Sequence, residues 1–196
     1  ASLEVELVGL QTPKAGLPLK FDAGGYLKVN ILDRFGNLVT TGDDRDLTIG
    51  VSSVAVGVAG STTSSAVVGA ADFSGNGLKL EGTETSTGYN LVFSATTTRG
   101  TTIIGRQSFT LSPGVATKVV LSQQPSGLIQ TGKAFDPGAV QVFDAFDNLI
   151  GNSTTASLIV GLVPSNGALQ STSSFTLSGS VIDIGNSVSY TVTPAT

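Results

Sequence analysis

Val29-Asn30-Ile31-Leu32-Asp33-Arg34-Phe35-Gly36-Asn37-Leu38-Val39 and Val140-Gln141-Val142-Phe143-Asp144-Ala145-Phe146-Asp147-Asn148-Leu149-Ile150 are two versions of one sentence. Each reads as an alternating strand, an Asp, a turn, an Asn and an apolar pair. Alternation with a period of two is the mark of a strand with one face buried. An Asp opening a tight turn accepts backbone N–H groups, and a residue such as Gly36 or Asn148 is expected to supply the positive φ that the turn needs. Asp33, Gly36, Asn37, Asp144 and Asn148 are therefore read as structural turn residues.

The register holds on both sides of these turns. Leu47-Thr48-Ile49-Gly50-Val51 answers Leu158-Ile159-Val160-Gly161-Leu162, and the Leu lies 14 residues after the Asp in both copies. Phe21-Asp22 answers Phe135-Asp136 upstream, and Phe73 to Tyr89 answers Phe175 to Tyr190 at separations of 16 and 15. Such self-similarity fixes domain number better than length does. Two domains are expected, 1–112 and 113–196, joined at Ser112-Pro113-Gly114. So short a linker restricts hinge motion and favours an extended rod.

Away from the two turns the same alternation recurs, in Leu3, Val5 and Leu7 and in Tyr89, Leu91 and Phe93, and no segment sustains a 3.6-residue apolar period. The chain reads as all-β, two sandwiches with Leu27, Val29, Ile31, Tyr89, Leu91 and Phe93 in the first core and Val140, Val142, Leu158, Val160, Tyr190 and Val192 in the second. Copy one carries an extra stretch at 54–68, rich in Val, Ala, Gly and Ser, which reads as a longer hairpin expected to pack against a neighbouring domain or subunit.

Composition narrows function. The 196 residues include no His, Cys, Met or Trp. Without imidazole or thiolate there is no Ser-His or Cys-His nucleophile and no zinc site. Ten Lys and Arg, scattered singly against 14 Asp and Glu, do not form the clustered positive surface that nucleic acid requires. No apolar run reaches the roughly 18 residues of a membrane-spanning helix. The absence of Met at position 1 reads as a processed or excised chain. Oxygen ligands are plentiful and suit a hard cation: Asp43, Asp44 and Asp46 form a calcium candidate, opposed by Arg45 and missing from copy two, where Asn152-Ser153-Thr154-Thr155-Ala156 stands instead. As a glycosidase pair these carboxylates are too close in sequence and lack an aromatic cleft. No enzyme activity and no obligatory cofactor are expected.

The run Pro113-Gly114-Val115-Ala116-Thr117-Lys118-Val119-Val120-Leu121-Ser122-Gln123-Gln124-Pro125-Ser126, followed by Gly132, Phe135 and the Asp144 turn, resembles the repeat signature of bacterial immunoglobulin-like domains of very large surface proteins and adhesins. Tyr89 with Leu91, and Ser108-Phe109-Thr110-Leu111 closing the first repeat, extend the likeness. Copy one departs from it where Gln11-Thr12-Pro13 replaces the Gln-Gln-Pro.

The resemblance implies a Greek-key immunoglobulin-like sandwich in tandem, a place at the cell surface or outside the cell, and roles in filaments, surface layers or adhesion, with no catalytic residues to carry over. A sugar- or ligand-binding accessory module and a viral decoration protein are the competing expectations. Copy two has no counterpart of Ser108-Phe109-Thr110-Leu111 after Tyr190, so its last strand is expected to be missing. Self-association with identical subunits or neighbouring repeats follows, with Leu3, Val5 and Leu7 as the donor strand.

Overall fold

The computed structural model describes residues 1–83, 85–123 and 139–150, residues 85–87 as backbone, and the backbone of five short strands between 159 and 191. Every regular element among them is a strand, and every strand pairing is antiparallel. The protein is all-β and sandwich-like. It packs as two compact units, Ala1–Gly114 and Val115–Thr196. The boundary falls just past Gly114, two residues after the expected end of the first domain at 112.

In the first unit the strands are β1 (Ser2–Leu10), β2 (Phe21–Leu32), β3 (Thr48–Ser52), β4 (Gly57–Ala59), β5 (Thr63–Ser65), β6 (Ala70–Asp72), β7 (Lys79–Glu81), β8 (Thr85–Thr96) and β9 (Thr102–Leu111). They form a β1-β2-β6 sheet, a β5-β3-β8-β9 sheet and a β4-β7 pair. The alternation of β2 becomes its burial: Leu27, Val29 and Ile31 are fully buried, while Lys28 and Asn30 between them are half-buried. On that outer face Asn30 donates to Glu6 at 2.7 Å, and Lys28 lies 4.7 Å above the Tyr26 ring. From the facing sheet Ile49, Leu91 and Phe93 are fully buried too. Phe73, just after β6, meets Phe93 of β8 edge to face at 5.4 Å, which ties the two sheets through the core. Truncating either ring to Ala would cost about 3–5 kcal/mol.

The end strands β1 and β9 close the unit along one side. Gly105 makes this approach possible: a Cβ there would sit 2.9 Å from the Leu3 carbonyl oxygen and 3.2 Å from Val5 Cγ2. Further on, the chain after β1 runs parallel to the end of β9, with Ser112 donating to the Pro13 carbonyl and Ala15 to the Ser112 carbonyl, each at 3.0 Å. The two apolar runs around Ile103 and Phe109 belong to a single ten-residue strand.

The inserted stretch is not a hairpin. Its first half, β4, pairs with β7, and its second half, β5, pairs with β3. Val56 and Ala66 enter the core of the first unit, whereas Val54 and Val67 are exposed. Short segments of Val, Ala, Gly and Ser lack a local signal for their partner, so tertiary packing chose two sheets over self-pairing.

The second unit contains β10 (Ala116–Gln123), β11 (Ala139–Asp144), β12 (Ile159–Gly161), β13 (Ala168–Leu169), β14 (Ser174–Thr176), β15 (Val181–Asp183) and β16 (Tyr190–Thr191). Their pairings are β10-β11-β15, β12-β14 and β13-β16. Val140 and Val142 are buried as expected. Leu158 and Val192 lie outside the described residues, and Val160 and Tyr190 are described as backbone only.

Candidate functional site

The strongest motif in the sequence becomes the same object twice. At the end of β2, Asp33 Oδ1 accepts the Phe35 and Asn37 backbone N–H groups at 2.7 and 2.9 Å, while Asn37 Nδ2 donates to Oδ2 at 3.2 Å. At the end of β11, Asp144 Oδ1 accepts the Phe146 and Asn148 N–H groups at 2.8 and 3.0 Å, and Asn148 Nδ2 donates to Oδ2 at 2.8 Å. The backbone repeats as well: Asp33 N donates to the Asn37 carbonyl at 2.8 Å and Val39 to Ile31 at 2.9 Å, matched by Asp144 to Asn148 at 3.0 Å and Ile150 to Val142 at 2.8 Å. Each carboxylate thus replaces the partners that its turn's amides would otherwise lack.

One detail corrects the expectation. Positive φ falls on Gly36 at 85° and, in copy two, on Asp147 at 62°, not on Asn148. Asn148 instead spends its amide on Asp144. Asp147 tolerates the left-handed region as short polar residues do, and its carboxylate pairs with Lys118 at 2.7 Å.

Environment separates the twins. Asp144 and Asn148 are 2% and 4% exposed, whereas Asp33 is half-buried and Asn37 exposed. Hydrogen bonding, led by the Asn37 N–H, holds the Asp33 carboxyl below its ordinary value of 3.8.

Two carboxylates of the acidic loop turn to separate partners. Asp44 turns to the β8–β9 connection, where its Oδ1 accepts the Thr98 N–H at 2.7 Å and the Thr98 hydroxyl at 2.9 Å. Asp46 is held by Arg45 Nε at 2.8 Å and accepts the Val68 N–H at 3.1 Å. These bonds, the Thr98 N–H foremost for Asp44 and the Arg45 side chain for Asp46, lower both carboxyls below 3.8. Asp43 and Asp44 share an open cavity of about 360 Å³ with Arg99, which sets a cation against any cation bound there. Among the described residues no three acidic side chains gather as metal ligands. A hard ion takes six to eight oxygens; here Asp44 and Asp46 serve as loop clasps instead.

Leu3, Val5 and Leu7 sit on β1, opposite Ile31, Val29 and Leu27 of β2. Leu3 is buried, Val5 and Leu7 are half-buried, and the strand completes its own unit.

Sequence reasoning placed Tyr89 in the core and missed its polar end. The ring is half-buried, and the hydroxyl donates to the Thr83 carbonyl, six residues upstream, at 2.6 Å. The signal was a Tyr at the start of a strand shortly after the Gly82-Thr83 turn.

Among the described residues no helix is long and apolar enough to cross a membrane. Comparison of the chain with protein-family models, curated proteins and solved structures finds no match in any of the three.

Proposed function

We propose that this chain is a non-catalytic structural or adhesive part of an extracellular, cell-surface protein, built from two copies of one immunoglobulin-like Greek-key module that associates with further copies or neighbouring repeats. The observation that carries this reading is the pair of carboxylate-locked turns at Asp33 and Asp144, whose hydrogen bonds correspond one for one. The same turn, repeated bond for bond at the end of the second strand of each unit, supports repetition of a building block over elaboration of a site.

Two features of the first unit support the immunoglobulin-like assignment. Its chain passes from β2 in one sheet to β3 in the other and returns at β6, giving sheets ordered β1-β2-β6 and β5-β3-β8-β9. The Tyr89 hydroxyl bonded back to Thr83 at the start of β8 is the tie such sandwiches use at the corner before their penultimate strand. The absence of His and Cys removes the commonest nucleophile and base chemistry from the chain.

Electron microscopy of the native material with an antibody to this chain tests the proposal. Label on surface fibres, lattices or projecting stalks of intact cells is the expected outcome. Label confined to the cell interior would refute it.

A further inference from the structure

Asn76-Gly77 lies in the turn that leads into β7, and among the described residues Asn76 is the one Asn followed by Gly. In such a pair the main-chain nitrogen of the glycine can close a five-membered ring on the side-chain carbonyl carbon of the asparagine, because no Cβ shields it. A folded chain permits this where the nitrogen is free, the turn is open to water, and the amide is held lightly enough to rotate.

All three conditions meet at this turn. Gly77 is exposed, its N–H has no hydrogen-bond partner among the described residues, and a Cβ built on it would meet nothing within 4 Å. Asn76 is half-buried. Its Nδ2 donates to the Thr63 carbonyl at 3.3 Å, and its N–H donates to the Phe73 carbonyl at 3.3 Å. Both bonds are longer than the roughly 2.9–3.0 Å usual for N–H···O, so the grip is weak.

The same residue is a clasp. Its carbonyl accepts the Ser61 N–H at 3.1 Å, and with the bond to Thr63 this ties the connection between β4 and β5 to the turn before β7. Gly60 passes so close that a Cβ there would overlap the Gly77 carbonyl. The elements joined in this way are marginal ones: β5 ends its sheet, and β4 and β7 form a sheet of two strands.

We propose that Asn76-Gly77 is a self-modification site, at which the folded chain deamidates and so releases the clasp between Ser61–Thr63 and the β7 turn. Gly77 N loses its proton to hydroxide and attacks Asn76 Cγ; the Cγ–Nδ2 bond breaks and ammonia leaves, giving a succinimide. Water then opens the ring at Cγ, which yields Asp, or at the main-chain carbonyl carbon, which yields isoaspartate with the chain running through Cβ and Cγ. The net change is one water taken up and one ammonia released. Either product lacks the Nδ2 donor. Asp sets a carboxylate against the Thr63 carbonyl, and isoaspartate lengthens the main chain where Gly60 and Gly77 already pass closely. Neither effect depends on where the chain works.

The test incubates the full chain at mildly alkaline pH and digests it with trypsin. Peptide 46–79 contains Asn76 and no other Asn or Gln, so a mass gain there from exchange of NH2 for OH assigns the site. Conversion should rise with pH, yield a product that a protein isoaspartate methyltransferase labels, and run within about a thousandfold of the rate of the free synthetic segment 70–82. Reaction confined to unfolded chains, a fraction of about 10⁻³ or less, would be slower than that limit and would overturn the proposal. N76Q, which keeps an amide but closes only a six-membered ring, should hold its mass; an equal gain in its 46–79 peptide would also overturn it. In the converted fraction, hydrogen exchange should lose protection at the Ser61 amide and keep it at 27–31. Unchanged protection at Ser61 would refute the release of the clasp.

Discussion

Replacing Asp144 by Ala should damage the second unit far more than replacing Asp33 by Ala damages the first, although the two turns are locally the same. In the wild-type chain Asp144 accepts from Phe146 N, Asn148 N and Asn148 Nδ2 at 2.8, 3.0 and 2.8 Å. With Asn148 only 4% exposed, water cannot simply replace the lost carboxylate at its two donors. A buried donor left without a partner costs about 1–3 kcal/mol, so two donors set D144A at roughly 2–6 kcal/mol. At Asp33 the corresponding donors face solvent and rehydrate, and the effect should be a small fraction of that. Hydrogen exchange of the full chain separates the units: protection at 140–142 reports on the second and protection at 27–31 on the first. A loss of about 3 kcal/mol lowers protection at 140–142 by more than about a hundredfold. D144N, which keeps one acceptor oxygen, should fall between the wild type and D144A. Equal losses for D33A and D144A in their own units would refute the argument that burial, not turn geometry, sets the cost.

Other outcomes follow from single contacts. G105V drives a branched side chain into the Leu3 backbone and should destabilise the first unit by about 1–3 kcal/mol in urea unfolding, the range for overpacking; an unchanged midpoint would mean β1 and β9 are not held together there. Y89F removes the bond to Thr83 and should cost about 1 kcal/mol by the same assay, with no change in core packing. The carboxyls of Asp33, Asp44, Asp46 and Asp72 all lie below 3.8 in the folded state, Asp72 chiefly through the Ser74 hydroxyl. Their contribution is complete above the unfolded value and is lost as pH falls through the folded values, so the urea midpoint should hold near neutrality and drop below about pH 4. D44N with D46N should flatten that acid limb, and a midpoint that rises between pH 5 and 3 would contradict the assignment.

Strands with a strict two-residue period were readable because one covered face dictates every second residue: Leu27, Val29 and Ile31, or Leu91 and Phe93, have no other arrangement that buries them together. The turn locks were readable because Asp-x-x-x-Asn is a local device, complete within five residues. What escaped depends on distant partners. Nothing in Gly57-Val58-Ala59 says that it joins Lys79–Glu81, and nothing in Thr63-Ser64-Ser65 says that it joins β3. Asp43, Asp44 and Asp46 looked like a cluster because they are close in sequence; Thr98 and Val68, 54 and 22 residues away from Asp44 and Asp46, decide where two of them turn. Asp144 and Asp33 have nearly the same neighbours in sequence, yet Asp144 is buried and Asp33 only half-buried, a difference that no local pattern encodes.

The parallel seam between the residues after β1 and the end of β9 has a mechanical consequence. Ser2 sits beside Leu32 at one pole of the first unit, and Leu111 leaves from the opposite pole, beside the segment at 13–15 that follows β1. Tension applied between Ala1 and Gly114 therefore pulls two side-by-side strands past each other. The bonds from Ser112 to Pro13 and from Ala15 to Ser112, and the Gly105 crossing over Leu3, must then fail together in shear, where an antiparallel hairpin pulled from its open end would fail one bond at a time. Resistance to stretching is a matter of unfolding rate rather than of equilibrium stability. A unit of modest thermodynamic stability whose ends emerge in this way is suited to hold under a steady pull, and G105V should lower its rupture force in single-molecule stretching more than it lowers its urea midpoint.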